Sequence, residues 1–149
     1  MVRLKHRYII AQVVPSSSVR ILTKQTYSSR EIQTILREKI QELYGDVGLG
    51  EFGQATYVRY LDAKYTNIFV VKTTRDAQSK VHFALSCIGE LSGSPVCLRS
   101  LSINSCQRTC MQSLRQVIGL HFDHADMMSE SELKDGRETV EKNLTTLEL

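Results

Sequence analysis

Three observations predict an α+β sandwich for this 149-residue chain. Four short segments are rich in β-branched and aromatic residues, as strands are. Three others carry apolar residues at helical spacing. Their order is strand–helix–strand–strand–helix–strand, followed by one more helix. That order is the ferredoxin-like, RRM-like βαββαβ arrangement, an antiparallel sheet with two helices on one face. An extra C-terminal helix and an acidic tail are added to it.

The first strand begins almost at once, with Arg-Leu-Lys-His-Arg-Tyr-Ile-Ile over Arg3–Ile10. In an extended chain Arg3, Lys5 and Arg7 share one face and stand about 6.6 Å apart, while Leu4, His6, Tyr8 and Ile10 take the other. Beyond Arg7 the cationic face turns apolar with Ile9, Ala11 and Val13, so the strand passes from solvent into a core. A polar break at Pro15–Ser18 and a ragged connection lead to Tyr27. Ser28 and Glu31 have capping-box spacing, and Tyr27 with Ile32 forms a hydrophobic staple. Ile32, Ile35, Leu36, Ile40, Leu43 and Tyr44 trace one helical face, and Gly45 is a suitable terminator. The glycine-rich stretch Asp46–Gly53 reads as a flexible loop.

Two strands, about 54–61 and 67–74, follow as a hairpin. Asp76 is placed to cap a second helix with apolar positions Ala77, Val81, Ala84, Leu85, Ile88 and Leu91, stopped by Ser92-Gly93-Ser94-Pro95. Residues 96–104 make a fourth strand. A third helix, about 107–122, carries Cys110, Met111, Leu114, Val117, Ile118 and His121 on one stripe. That stripe must be buried, either on the open face of the sheet or on a partner. The first is favoured, because a free monomer exposing it would aggregate. A short helix is expected between Glu130 and Leu144.

The chain is long enough for one well-packed domain, and 42% hydrophobic with 23% charged residues is ordinary for a soluble protein. The net charge of +3 hides a strong asymmetry. Residues 1–122 hold 16 Lys and Arg against 8 Asp and Glu, whereas residues 123–149 hold 3 against 8. We therefore divide the chain into a basic RNA- or protein-binding domain, 1–122, and an acidic C-terminal tail, 123–149. No apolar run reaches the roughly 18 residues of a membrane span, and the charged N-terminus lacks a signal-peptide layout. Cys87, Cys97, Cys106 and Cys110 show no secreted-domain disulfide pattern, which favours a reducing compartment.

No catalytic constellation is visible. Cys106, Cys110, His121 and His124 lie along one helix and cannot converge on a metal ion. The Gly-rich stretch lacks the lysine and hydroxyl of a P-loop and precedes a strand. The four histidines sit in no nucleophile context. Base stacking of the RNA-recognition kind needs aromatic boxes on the central strands, and only Tyr8 and Phe69 are available, with Phe69 more suited to the core. A polyanion tracking the Arg3–Lys5–Arg7 ladder through phosphate and shape contacts is the better match.

These residues also carry a resemblance. The opening Met-Val-Arg-Leu-Lys-His-Arg-Tyr is similar to the M-V-R-x-K-x-R-Y start of the fifth processing-of-precursors (Pop) subunit family of ribonuclease P and ribonuclease MRP. Val58-Arg-Tyr-Leu-Asp-Ala63, then Thr66-Asn-Ile-Phe-Val-Val with a basic residue after it, are a second segment that resembles the family. Leu101-Ser-Ile and Arg108-Thr-Cys resemble its last strand and following helix. The likeness spans about residues 1–120. It departs at Asn104-Ser105-Cys106-Gln107, where the family often has glycine-threonine, so a tight glycine turn is not carried over to that corner.

The resemblance implies a non-catalytic subunit of an endoribonuclease ribonucleoprotein, found in nucleus and nucleolus and acting in tRNA and rRNA processing. Catalysis there belongs to the RNA, which uses magnesium and removes the 5′ leader of precursor tRNA; the protein binds no cofactor itself. Expected partners are the catalytic RNA, a TIM-barrel-like subunit and a second small α/β subunit, with precursor tRNA met indirectly. The RNA-binding candidates are Arg3, Lys5, Arg7, Tyr8, Arg59 and Arg108. The alternative is a ferredoxin-like regulatory or adaptor domain that binds a small molecule or protein only; a small ferredoxin-like hydrolase is the weakest reading.

Overall fold

A computed structural model describes residues 5–16, 27–62, 64–124, 129–147 and 149. The elements are β1 (His6–Pro15), α1 (Ser29–Gly48), β2 (Tyr57–Asp62), β3 (Ile68–Thr74), α2 (Gln78–Ser86), β4 (Glu90–Leu91), β5 (Ser94–Asn104), α3 (Gln107–Asp123) and α4 (Glu130–Thr146). One antiparallel sheet runs β2-β3-β1-β5-β4, with β1 between β3 and β5. This is the expected ferredoxin-like α+β topology, with β4 added at one edge.

Alternation along β1 divides two cores. Ile9, Ala11 and Val13 join Phe69, Val71 and Leu98 beneath α1 and α2, against Ile32, Leu36, Ile40, Val81 and Leu85. Tyr8 and Ile10 join Tyr60, Ile68 and Val70 on the opposite face, under Cys110, Leu114, Ile118 and Phe122 of α3. The α3 stripe thus packs on the chain's own sheet, as favoured from its sequence. Val140 and Leu144 of α4 and Leu149 complete this second layer, so the last acidic segment contributes to the core. Ser129 and Glu132 form a reciprocal capping box at the start of α4, and Arg137 reaches Asp123 at 2.5 Å.

Several local expectations need correction. Gly45 does adopt φ 68°, but helix resumes beyond it to Gly48 and continues into a wide π-type turn, Leu49–Gly53. The apolar anchor explains this: Phe52 is buried and meets the Tyr44 ring edge-on at 5.9 Å, so the glycine-rich stretch is packed rather than a loose loop. Ser28 caps α1 by accepting from the Arg30 N–H, while the Glu31 carboxylate accepts from the Ser92 hydroxyl across the molecule.

The second helix is shorter than its apolar spacing suggested. It starts at Gln78 without the Asp76 cap, with the Ala77 N–H donating to the Thr74 hydroxyl at 3.3 Å. Leu91 belongs to the short strand β4, where Ser92 and Gly93 turn a hairpin at φ 51° and 73°. Leu91 is fully buried, which is why a helical count included it.

Candidate nucleic-acid interface

Antiparallel pairing gathers the candidate cations at one end of the sheet. β1 and β2 begin there, and β3 and β5 end there. In register, Tyr8 faces Lys72 and Asn104, and Lys72 faces Tyr57. The row Tyr57–Lys72–Tyr8–Asn104 therefore crosses four strands on the face that α3 covers. Lys5 enters the same end: its carbonyl accepts from the Arg75 N–H at 2.8 Å, which sets two exposed cations side by side. Arg7 is half-buried and donates to the His6 carbonyl at 3.0 Å.

Arg59 is exposed and lies where the β2–β3 register shifts between Val58 and Tyr60, with its guanidinium 5.3 Å from the Tyr57 ring centre. Lys72 places its ammonium 5.7 Å from the Tyr8 ring. Arg108 is exposed in the first turn of α3, a turn with no acidic residue. A helix start of this kind favours anions. None of Lys5, Arg7, Arg59, Lys72, Arg75 and Arg108 forms an ion pair among the described residues, so their charge is available to a polyanion.

Tyr8 itself is buried, only 5% exposed. Burial raises its phenol pKa, Cys110 and Cys106 push the same way, and Arg59 pulls it down. The ring is covered by α3 and presents no stacking surface. Cys106, at the start of α3, has its thiol pKa lowered by the Thr109 hydroxyl 3.3 Å away, with the first-turn N–H groups and Arg108 adding to the effect. Arg3 lies outside the described residues.

The structure thus brings Lys5, Arg7, Arg59 and Arg108 to one end and buries Tyr8 in the layer below. Lys72, Arg75 and Tyr57 belong with them and were missed. The signal was present: in an antiparallel hairpin the end of β3 must lie beside the start of β1, which brings Lys72 and Arg75 to Lys5 and Arg7.

The family model described as Rpp14/Pop5 matches residues 7–115. The chain belongs to the Rpp14/Pop5 family. It is 32% identical over 120 residues to the ribonuclease P/MRP protein subunit POP5 of Bos taurus, covering 78% of this chain and 68% of that relative. The probable ribonuclease P/MRP protein subunit POP5 of Arabidopsis thaliana is 23% identical over 146 residues, or 95% of this chain and 96% of its own length. Among solved structures, a chain in the cryo-EM structure of yeast ribonuclease MRP superposes with a TM-score of 0.56 at 12% identity. The match covers 80% of this chain and 98% of that one, and it shows a shared fold. The matched span of the family model contains Arg7, Arg59, Lys72, Arg75 and Arg108, and stops short of α4.

Proposed function

We propose that this chain is a non-catalytic protein subunit of ribonuclease P and ribonuclease MRP that binds and supports the catalytic RNA. The observation that carries the reading is the unpaired basic end of the sheet, assembled from four separate elements in a chain of this family. A cationic surface without carboxylate partners contacts a phosphate backbone through its charge and shape. Cleavage belongs to the RNA with its magnesium, and the protein holds no cofactor of its own. Exposed Leu43, Val47 and Phe83 on α1 and α2 offer apolar contacts for the TIM-barrel-like and small α/β partner subunits. The assembly works in nucleus and nucleolus on precursor tRNA and rRNA. No described helix is long and apolar enough to cross a membrane.

The test is the salt dependence of binding to a transcript of the catalytic RNA. Replacing Lys5, Arg7, Arg59 and Arg108 together with Ala lowers the log–log salt slope by nearly one unit per lost phosphate contact, with only a modest change in melting temperature because Lys5, Arg59 and Arg108 are exposed and add little stability, while Arg7 is half-buried. An unchanged slope in the folded variant removes this end of the sheet from the RNA surface.

A further inference from the structure

We propose that the Tyr57 ring, backed by Arg59, is a stacking platform for one unpaired nucleobase of the RNA that crosses the basic end of the sheet. The proposal rests on the RNA-binding reading above and adds a subsite to it.

Tyr57 and Tyr8 are both register partners of Lys72, so they lie on the same face with their backbones two strand spacings, about 9.6 Å, apart. Their surroundings differ. α3 covers Tyr8, whereas Tyr57 on the edge strand stays 43% exposed with the guanidinium beside it already counted. The backbone under the ring is held on both sides: the Gln33 side-chain amide donates to the Thr56 carbonyl at 2.7 Å and accepts from the Val58 N–H at 2.6 Å. The shift of register at Arg59 frees its side chain to lie against the ring. The result is a ring on a fixed backbone, polarised by a cation on one side, in a residue that keeps 43% of its surface open to solvent.

Such a ring takes a flat π system. A base within a duplex is already stacked on its neighbours, so only an unpaired base can lie on it. Stacking accepts any base, because each has a π face. The phosphates flanking the stacked base then meet Arg59 and Lys72, and the strand continues toward Lys5. Tyr57 therefore selects for single-stranded character at this corner, while the cations supply charge-driven affinity.

The experiment uses the full chain and measures fluorescence anisotropy of a short single-stranded oligoadenylate, and of an RNA duplex of equal length, over a range of salt. Tyr57→Ala weakens the single strand by roughly 5- to 150-fold. The salt slope stays unchanged because no phosphate contact is lost, and duplex affinity also stays unchanged. Tyr57→Leu, which keeps the bulk without the π face, gives the same loss, and Tyr57→Phe retains binding. Single-strand affinity within about twofold of the parent in both Ala and Leu variants overturns the platform and leaves salt-dependent RNA binding standing. An equal loss on duplex and single strand also overturns it, since the ring would then only shape the surface. A parent protein with no salt-dependent binding to either RNA removes the RNA-binding reading and the platform together.

Discussion

The two faces of the sheet are both buried, but by different means. The α1/α2 face is closed by the helices that connect the strands, and its buried Thr56 and Thr73 hydroxyls are paired with each other at 3.0 Å. The α3/α4 face is closed by the C-terminal part of the chain. Its core holds the Cys110 thiol, the Tyr8 phenol and a Tyr60 hydroxyl that has no hydrogen-bond partner among the described residues. Its outer helix is polar: among described positions within α4 only Gly136, Val140 and Leu144 are buried. A Cβ on Gly136 would come within 3.0 Å of the Phe122 ring, so close approach of the two helices relies on that glycine. The difference teaches where recognition can occur. In the RNA-recognition module the face opposite the connecting helices carries the stacking rings; here that face is a core, and the cations collect at its rim.

The comparison breaks most visibly under a buried charge. Leu36 and Leu114 are both fully buried, one on each face. Leu36→Asp and Leu114→Asp should each cost several kcal/mol and abolish the cooperative melt seen by circular dichroism. A Leu114→Asp protein that melts like the parent would show that α3 does not depend on the sheet.

Alkaline pH sharpens the contrast. Burial, with Cys106 adding, pushes the Cys110 thiol up to about 12 from the ordinary 9.0; burial also raises Tyr8, and raises Tyr60 further. Above the ordinary thiol pKa the unfolded chain releases the Cys110 proton while the folded chain keeps it. The unfolded state then binds fewer protons, so stability falls as pH rises through this window. Melting temperatures recorded from about pH 8 to pH 11 should decline, and Cys110→Val should make the decline shallower. A decline that is identical in the variant would place its origin on the other titrating groups.

The smallest effect concerns the Tyr60 hydroxyl. Removing a buried polar atom that has no partner among the described residues relieves its desolvation cost, so Tyr60→Phe should be neutral or stabilising by about 1 kcal/mol in urea denaturation. A clear loss of stability would mean that the hydroxyl is hydrogen-bonded in solution.

Much of this could be read along the chain because it depends on local periodicity. Odd and even residues of β1 go to different layers, Ser28 caps α1, and the Cys110–Leu114–Ile118 stripe is buried. Errors arose where local signals compete with distant anchors. Gly45 takes the left-handed conformation of a helix end, yet Phe52 draws the next residues into another helical turn. Leu91 satisfies a helical count, yet Ser92 and Gly93 allow a hairpin that pairs Leu91 with Ser94.

The sequence by itself determined the βαββαβ order, the basic body with its acidic end and the cationic start of the first strand, because composition and side-chain alternation are properties of neighbouring residues. Only the tertiary structure decided which cations share one end of the sheet and which aromatic ring is open. Lys72, Arg75, Arg59 and Arg108 are far from Lys5 in sequence and reach the same end of the sheet through antiparallel register and the position of α3 after β5. Tyr8 and Tyr57 look alike as strand tyrosines, and their fates differ because α3 lies over one and stops short of the other.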